Sequence, residues 1–419
     1  MVMIAAFVAL VFVYSLVSRR LQRTMLTGPI VFTTAGALLV LSPAVNAELG
    51  LDLRALLLVA ELGLVMTLFT DASRIRLQML KDQANLPLRL LSTGLLLTLL
   101  LGALCAMVVL GTLSWWEAGI LAAILAPTDA GLGQVIVSSP DVPGRIRQAL
   151  NVEAGLNDGL AVPFLMFFMA LAAAELAGAG GSGVLTRFLI EQLGYGVAVG
   201  LAVGLAGGWL LGLARRRRWM AAPLTQLGVV ALPLACVLAS HASGASMFIA
   251  AFVAGLATQA GFREVGRHSV EFTEDWGQLL NFFVFFLFGL LVAQVAHRFT
   301  WPILLYAVLS LTLVRMLPVA LALRGTGLHR ASVLFVGWFG PRGLASIVLG
   351  LVYLEREMRL PGDATIRLAV MATVLLSILA HGFTALPGIR RYAQAVAALD
   401  PAAPERNTVV IAGCEAHVC

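Results

Sequence analysis

Long apolar stretches recur along the whole sequence, separated by short segments that hold most of its charged residues. A stretch of about 20 apolar residues can cross the hydrocarbon core of a bilayer as an α-helix. That core offers the backbone no water to bond, so only helices and closed barrels span it. The sequence therefore predicts an all-α polytopic membrane protein with about thirteen transmembrane helices. The stretches lie at residues 1–17, 28–45, 53–70, 88–111, 115–137, 147–175, 187–213, 222–240, 244–261, 276–296, 300–323, 330–354 and 365–388.

The amino-acid composition agrees with this class. Hydrophobic residues make up 60% of the chain and charged residues 12%, with a mean hydropathy of +0.94. Soluble domains carry about a quarter charged residues, so a soluble fold is excluded. The four cysteines show no metal-ligand spacing, and we expect no cofactor.

The distribution of lysine and arginine predicts the orientation of the chain. Of the 28 residues, 20 fall in loops on one side of the predicted spans, 6 on the other side and 2 within spans. The positive-inside rule then places the N-terminus outside and the C-terminus in the cytoplasm. We expect the membrane to be a bacterial inner membrane. The net charge of +6 follows from this topology, and we expect the lipid bilayer and no nucleic acid as partner. We interpret residues 1–388 as a transmembrane domain and 389–419 as a short cytoplasmic tail.

Two predicted spans contain proline within glycine-rich segments. These are Ala126-Pro-Thr-Asp-Ala-Gly-Leu-Gly133 and Gly337-Trp-Phe-Gly-Pro-Arg-Gly343. Pro127 and Pro341 each remove a backbone donor and clash with the preceding turn, so both helices should break there. Interruptions at corresponding places in two halves point to a transporter binding site. We therefore predict an inverted repeat, spans 1–6 and 8–13 in chain order, with two broken helices that cross.

The segment Asn151-Val-Glu-Ala-Gly-Leu-Asn-Asp-Gly159 places two carboxylates and an amide at membrane depth. A charge there costs about 2.5–3.5 kcal/mol on insertion scales, so such residues are rarely accidental. Glu153 and Asn157 share a helix face, whereas Asp158 lies about 100° further round. We expect the first two to face protein and Asp158 to face a water-filled cavity.

These residues predict a shared site for a proton and a monovalent cation, Na⁺ or K⁺. Burial disfavours the charged form of a carboxyl group, so protons can compete for it near neutral pH. Asp158, the Thr128 carbonyl or hydroxyl and the Asp129 side chain would supply oxygen ligands, with Asn157 beside them. One carboxylate that holds either a proton or a cation is sufficient for exchange. The alternative for Asp158 is a structural carboxylate paired with an arginine.

The remaining charges within spans are interpreted as follows. Arg315 needs a carboxylate, because an unpaired arginine in a membrane is costly. Glu153 is the predicted partner in a structural ion pair, and Arg342 is the second candidate to pair with Glu153. Glu61 and Asp71 are possible funnel-lining acids or structural residues.

Small residues and one histidine complete the pattern. Gly155 and Gly159 should let the broken stretch of the preceding span approach closely. His381 is interpreted as a hydrogen-bonded packing residue. A strip of glycines four residues apart must pack against a helix of this chain or of a second protomer; its members are Gly196, Gly200, Gly204, Gly208 and Gly212.

Several motifs cover nearly the whole chain together. They are Leu68-Phe-Thr-Asp-Ala, Pro127-Thr-Asp-Ala, Glu153-x-x-x-Asn-Asp, Phe248-Ile-Ala-Ala-Phe-Val-Ala-Gly, Arg315 and Gly340-Pro-Arg-Gly. This set resembles the cation:proton antiporters of the NhaP type, relatives of the sodium/proton exchangers. The resemblance implies a 13-helix inverted-repeat fold, a homodimer and an elevator-like alternation.

The resemblance also implies roles for individual residues. Asp158 would bind cation or proton next to Thr128 and Asp129, and Glu153 would pair with Arg315. Asn157 before the key aspartate implies electroneutral exchange. Ala154 departs from the serine that many members carry after the glutamate, which leaves K⁺ open as the transported ion.

Other functional classes fit the sequence less well. An anion exchanger could use Arg315 and Arg342, and an ion channel could use the same charges, but no repeated filter or charged ring is visible. No nucleophile–base set and no His-Glu-x-x-His motif occurs, so an enzyme is not expected.

Overall fold

The fold consists of helices joined by short turns. The structure is a computed structural model that describes residues 2–21, 24–40, 53–74, 85–176, 194–263, 265–355 and 358–399, with the isolated positions 183 and 190. These residues contain no β-strand.

The helices are numbered here in chain order. The first eight are α1 (Val2–Leu21), α2 (Gly28–Leu39), α3 (Leu53–Arg74), α4 (Asn85–Leu110, with a π-helical turn at Leu90–Gly94), α5 (Trp115–Leu125), α6 (Ala130–Val137), α7 (Gly144–Leu176) and α8 (Tyr195–Arg216). They are followed by α9 (Ala222–Ser243), α10 (Met247–Thr258), α11 (Val265–Val295), α12 (Trp301–Leu311), α13 (Leu313–Ala322), α14 (Arg330–Trp338), α15 (Leu344–Glu355) and α16 (Asp363–Leu399).

The helices have the length and composition of membrane spans. In the described part of the chain, eight are long and apolar enough to cross a bilayer, with α12 and α13 taken together as one. The apolar helices α2, α5, α10 and α15 are shorter. An all-helical integral membrane protein is therefore confirmed, whereas the count of thirteen spans and the inverted repeat stay predictions. The last helix continues beyond the predicted end of its span at 388, through Pro387, to Leu399.

Both interruptions expected from proline are present. One separates α5 from α6 between Leu125 and Ala130, and the other separates α14 from α15 between Trp338 and Leu344. Both segments lack regular helical bonding because proline has no N–H to donate.

A third interruption, between α12 and α13, was not predicted. It lies at Thr312, whose φ of −103° and ψ of −87° fall outside the helical region. The Thr312 hydroxyl donates to the Val308 carbonyl at 2.7 Å, a back-bond that often bends helices. Arg315 lies in the first turn of the helix that follows.

The glycine strip of α8 packs against α10 of the same chain. A side-chain carbon at Gly200, Gly204 or Gly208 would overlap the carbonyl oxygens of Ala250, Ala254 or Thr258. The backbones of α8 and α10 therefore touch over several turns, and any side chain in the strip would separate them. The structure thus supplies a partner within the chain.

The smaller strip on α7 packs differently from the prediction. A carbon added at Gly155 would lie 3.4 Å from the Asp71 Cβ of α3, and one added at Gly159 would overlap the Phe252 ring of α10. The expectation that these glycines face the broken stretch between α5 and α6 is wrong. Side chains of α3 and α10 occupy that face of α7 instead.

Candidate functional site

The two interrupted helices cross at their breaks. The Asp129 N–H donates to the Pro341 carbonyl at 2.7 Å, which joins the first break to the second. The Arg342 guanidinium donates in return to the Ala126 carbonyl at 2.6 Å and to the Pro127 carbonyl at 2.9 Å. Backbone groups that the breaks leave without helical partners are therefore bonded across the crossing.

Asp129 caps two helices at this crossing. Its Oδ1 accepts from the N–H groups of Gly131 at 2.6 Å and Leu132 at 3.1 Å, at the start of α6. Its Oδ2 accepts from the N–H of Leu344 at 2.6 Å, at the start of α15. Gly343 allows this approach, because a side chain there would overlap Oδ2. The carboxylate thus lies between two helix N-termini, where a negative charge is stabilised.

Thr128 and Asn157 connect the first break to α7. The Asn157 Nδ2 donates to the Thr128 Oγ1 at 2.7 Å, and both side chains are buried. The Asn157 Oδ1 is buried with no hydrogen-bond partner among the described residues. The side-chain contact fixes the rotamer of Thr128, so its hydroxyl and carbonyl oxygens are held beside α7.

Asp158 is a buried carboxylate of α7 at this site. The residue is 8% exposed, and its Oδ1 has no hydrogen-bond partner in the described part of the chain. Asp129 and Asp71 lie close enough to interact with it electrostatically. A buried polar atom without a partner calls for a proton, an ion or water.

A small cavity ends one helical turn from Asp158. Its lining includes Thr128, Asp129, Asn151 and Ala154, and Asn151 is exposed at its mouth. Asn151, Ala154 and Asp158 follow each other at spacings of three and four residues, so they share a face of α7. Asp158 is buried and does not belong to the lining of this cavity, so its access to a water-filled cavity stays a prediction.

Glu153 and Arg315 form a buried, bidentate ion pair. Arg315 Nη1 lies 2.5 Å from Glu153 Oε1, and Nη2 lies 2.9 Å from Oε2. These are the residues that the sequence analysis paired. Arg342, the second candidate to pair with Glu153, instead bonds carbonyl oxygens at the crossing. Gly340 packs on the Arg315 guanidinium, where a side chain would overlap it.

The two further acids of α3 lie at different places. Asp71 packs on Gly155 of α7, three residues before Asp158, so it is adjacent to the site. Glu61 is buried ten residues earlier in α3, which is about 15 Å along the helix axis. Only Asp71 therefore joins the residues around Asp158.

Some residues of the site were not singled out from the sequence. Asn151 lies seven residues before Asp158, and that spacing alone could have placed both on one helix face. Ser377, whose Oγ accepts from the Arg342 N–H at 2.6 Å, carried no sequence signal. Among the described residues, no group of three or more His, Cys, Asp or Glu side chains could hold a metal ion.

Comparison with known proteins defines the class. The family described as "Sodium/hydrogen exchanger, transmembrane" matches residues 4–389, so the chain belongs to that family. Its fold is similar to the sodium proton antiporter MjNhaP1 from Methanocaldococcus jannaschii, with a TM-score of 0.73 and 21% identity over 94% of this chain and 99% of that one. At this identity the likeness shows the fold.

Two curated relatives illustrate the range of the family. The Na(+)/H(+) antiporter of Schizosaccharomyces pombe is 24% identical over 297 residues, which are 63% of this chain and 62% of the relative. The K(+)/H(+) antiporter NhaP2 of Shewanella sp. strain ANA-3 is 27% identical over 332 residues, which are 78% of this chain and 56% of the relative. The chain thus matches less than two thirds of the length of these relatives.

Proposed function

We propose that the protein is a secondary transporter that exchanges a monovalent cation, Na⁺ or K⁺, for H⁺. The observation that carries the proposal is the state of Asp158, a buried carboxylate whose Oδ1 has no hydrogen-bond partner among the described residues. It lies one turn beyond a cavity lined by Thr128 and Ala154. The family match and the two named antiporters support the same activity.

The chemistry of the exchange follows from the oxygen atoms around Asp158. A cation that leaves water needs oxygen atoms in place of its hydration shell. In the proposal these come from the Asp158 carboxylate and from Thr128, held in place by Asn157. Asp129 contributes negative charge at short range, while its own oxygens hold α6 and α15. The cation is cargo at this site, and no cofactor takes part.

Competition for one carboxylate predicts the stoichiometry. Asp158 carries either a proton or a cation, and both occupied forms have the same net charge. One cation would therefore move for each proton, and exchange would be electroneutral. The Glu153–Arg315 pair keeps its charges matched in both states, so in the proposal it is structural.

Transport also requires that the site face each side in turn. We assign an alternating-access cycle, in a homodimer, in which α5–α6 and α14–α15 move together because they are bonded at their breaks. The cavity at Asn151 lies near the N-terminal end of α7, where the Lys/Arg distribution places Arg145 and Arg147 on the cytoplasmic side. This conformation would then be the inward-facing one, in a bacterial inner membrane with the C-terminus in the cytoplasm.

The contacts of the arginines weigh against anion exchange. Arg315 is bonded to Glu153, and Arg342 donates to two carbonyl oxygens. Neither guanidinium faces the cavity beside Thr128. A channel or an anion exchanger is therefore the weaker candidate.

The proposal is tested in proteoliposomes with an imposed pH gradient and a trapped pH dye. Na⁺, K⁺ and Li⁺ are added in turn, with valinomycin and matched K⁺ clamping the membrane potential in the Na⁺ and Li⁺ trials. Wild-type protein should collapse the gradient with at least one cation, Asp158→Asn should not, and changing the potential should have no effect. Because H⁺ and cation compete, the KM for the cation should rise as the pH falls, with the maximal rate unchanged.

Glu175→Gln is a suitable control variant, because Glu175 is exposed on the same helix as Asp158. If folded wild-type protein dissipates the gradient with none of the cations, the antiporter proposal is refuted. Exchange that persists in Asp158→Asn would refute the role of that carboxylate.

A further inference from the structure

Polar side chains on one face of α16 meet the break between α14 and α15. Ser377, His381 and Thr384 are spaced four and three residues apart, so they line one side of the helix. Ser377 is fully buried and His381 is 3% exposed. Buried polar groups are normally held in place by hydrogen bonds, and the partners of these three lie at the break.

His381 bonds the end of α14. Its Nε2 lies 2.8 Å from the carbonyl oxygen of Trp338, the last residue of that helix. A carbonyl only accepts, so Nε2 carries the hydrogen and donates it. The same carbonyl also accepts from the Gly340 N–H at 2.9 Å, so the imidazole is its second donor and joins α16 to the start of the break. The Thr384 hydroxyl accepts from the Trp338 Nε1 at 3.0 Å, so a second hydrogen bond joins α16 to Trp338.

Ser377 bonds the other side of the break. Its Oγ accepts from the Arg342 N–H at 2.6 Å. The His381 Nδ1 lies 3.1 Å from the Ser377 Oγ and 2.9 Å from the Ser377 carbonyl oxygen. Whether Nδ1 bonds the Ser377 hydroxyl or the Ser377 carbonyl, Nε2 still donates to the Trp338 carbonyl. The pair therefore spans the break in either protonation state of the ring.

Arg342 continues the path to the first break. Its guanidinium donates to the carbonyls of Ala126 and Pro127, which directly precede Thr128. A chain of hydrogen bonds thus runs from α16 through Arg342 to the segment that presents Thr128 beside α7. The links through Ser377 and Arg342 are buried, so a missing partner there would leave an unsatisfied polar group.

We propose that His381 and Ser377 are positioning residues for the cation site, holding the Pro127–Thr128 segment in place through Arg342. The inference rests on the proposed function, because it assigns them to the same site. It differs from the packing role expected for His381 from the sequence. Loss of a positioning bond changes how well the cation is bound, whereas a loss of packing alone lowers the amount of folded protein.

The test measures apparent KM and maximal rate of cation exchange in proteoliposomes for four single variants. His381→Ala should raise the KM by about three- to tenfold, the range expected for the loss of one hydrogen bond, with the maximal rate within about twofold. Ser377→Ala should shift the KM in the same direction. His381→Gln should restore most of the wild-type KM, because its amide N–H can reach the Trp338 carbonyl.

Thr373→Ala is the matched control on the same helix. Thr373 is fully buried one turn before Ser377, and its hydroxyl donates to the Ala369 carbonyl of its own helix at 2.7 Å. The KM of the Thr373→Ala variant should equal that of the wild type. The His381→Ala/Ser377→Ala double variant should show less than the product of the two single effects, because both residues belong to one chain of bonds.

Three outcomes overturn the inference. His381→Ala and His381→Gln could shift the KM equally, the KM could stay constant while the yield of folded protein falls, or the double variant could show independent effects. If His381→Ala does not fold, Ser377→Ala alone decides by the same KM measurement. A wild-type protein without cation–proton exchange would refute the proposed function, which is a separate result.

Discussion

Replacing Glu153 with glutamine should destabilise the protein more than replacing Arg315 with glutamine, although either change breaks the same ion pair. The pair is bidentate and buried, with Arg315 4% exposed and Glu153 2% exposed. Removing one member of such a pair costs about 3–5 kcal/mol, because the other charge stays buried without compensation.

The asymmetry comes from a third charge. Arg342 is fully buried and close enough to interact electrostatically with both Arg315 and Glu153. Glu153→Gln leaves two buried guanidinium groups that repel each other, so its cost should lie near the upper end of this range, about 5 kcal/mol. Arg315→Gln leaves Glu153 with Arg342 as a remaining cation, so its cost should be nearer to about 3 kcal/mol. The difference corresponds to roughly thirtyfold in the unfolding equilibrium constant.

The assay is equilibrium unfolding of purified protein in mixed micelles with a denaturing detergent, followed by circular dichroism. The double variant Glu153→Gln/Arg315→Gln should cost less than the two single changes together, with a coupling of at least about 2 kcal/mol. Glu175→Gln, an exposed change on the same helix, should stay within about 0.5 kcal/mol of wild type. Equal costs for the two single variants, or additive costs in the double variant, would refute the reasoning.

Three further changes test other contacts. Asn157→Ala removes the donor that holds Thr128 at 2.7 Å, so the KM for the cation should rise by about five- to tenfold; an unchanged KM in exchange assays would contradict this. Ala154→Ser adds a hydroxyl to the cavity lining, so the KM for Na⁺ should fall relative to the KM for K⁺. A constant ratio of the two KM values would show that the added oxygen does not reach the ion. Gly204→Val should abolish the recovery of monodisperse protein in size-exclusion chromatography, because α8 and α10 touch there. Leu205→Ala changes an exposed neighbour in the same helix, so this variant should be recovered as monodisperse protein. Equal recovery of the two variants would contradict the packing argument.

Much of the site was predictable from local chemistry. The breaks at Pro127 and Pro341 were predictable because each proline lacks the N–H that a helix needs and lies in a glycine-rich segment. The Glu153–Arg315 pair was predictable because a charge at membrane depth needs an opposite charge. Both inferences need only the sequence and the fact that a bilayer surrounds the helices.

The contacts across helices were not predictable in the same way. The sequence placed Asp129 among the cation ligands, whereas its carboxylate accepts three backbone bonds at the starts of α6 and α15. That role depends on Leu344, which is more than 200 residues away in the chain. The neighbours of Gly155 and Gly159 were missed for the same reason.

The sequence by itself determined that the chain forms apolar helices in a membrane, which of them break at proline, and which residues bear charge inside them. These properties follow from hydropathy, from proline geometry and from the cost of an isolated charge. Only the tertiary structure decided that the two breaks bond each other, that Ala154 lines a cavity together with Thr128, and that α16 reaches the crossing through His381 and Ser377. These contacts join segments far apart in the chain, so they depend on which helix faces pack together.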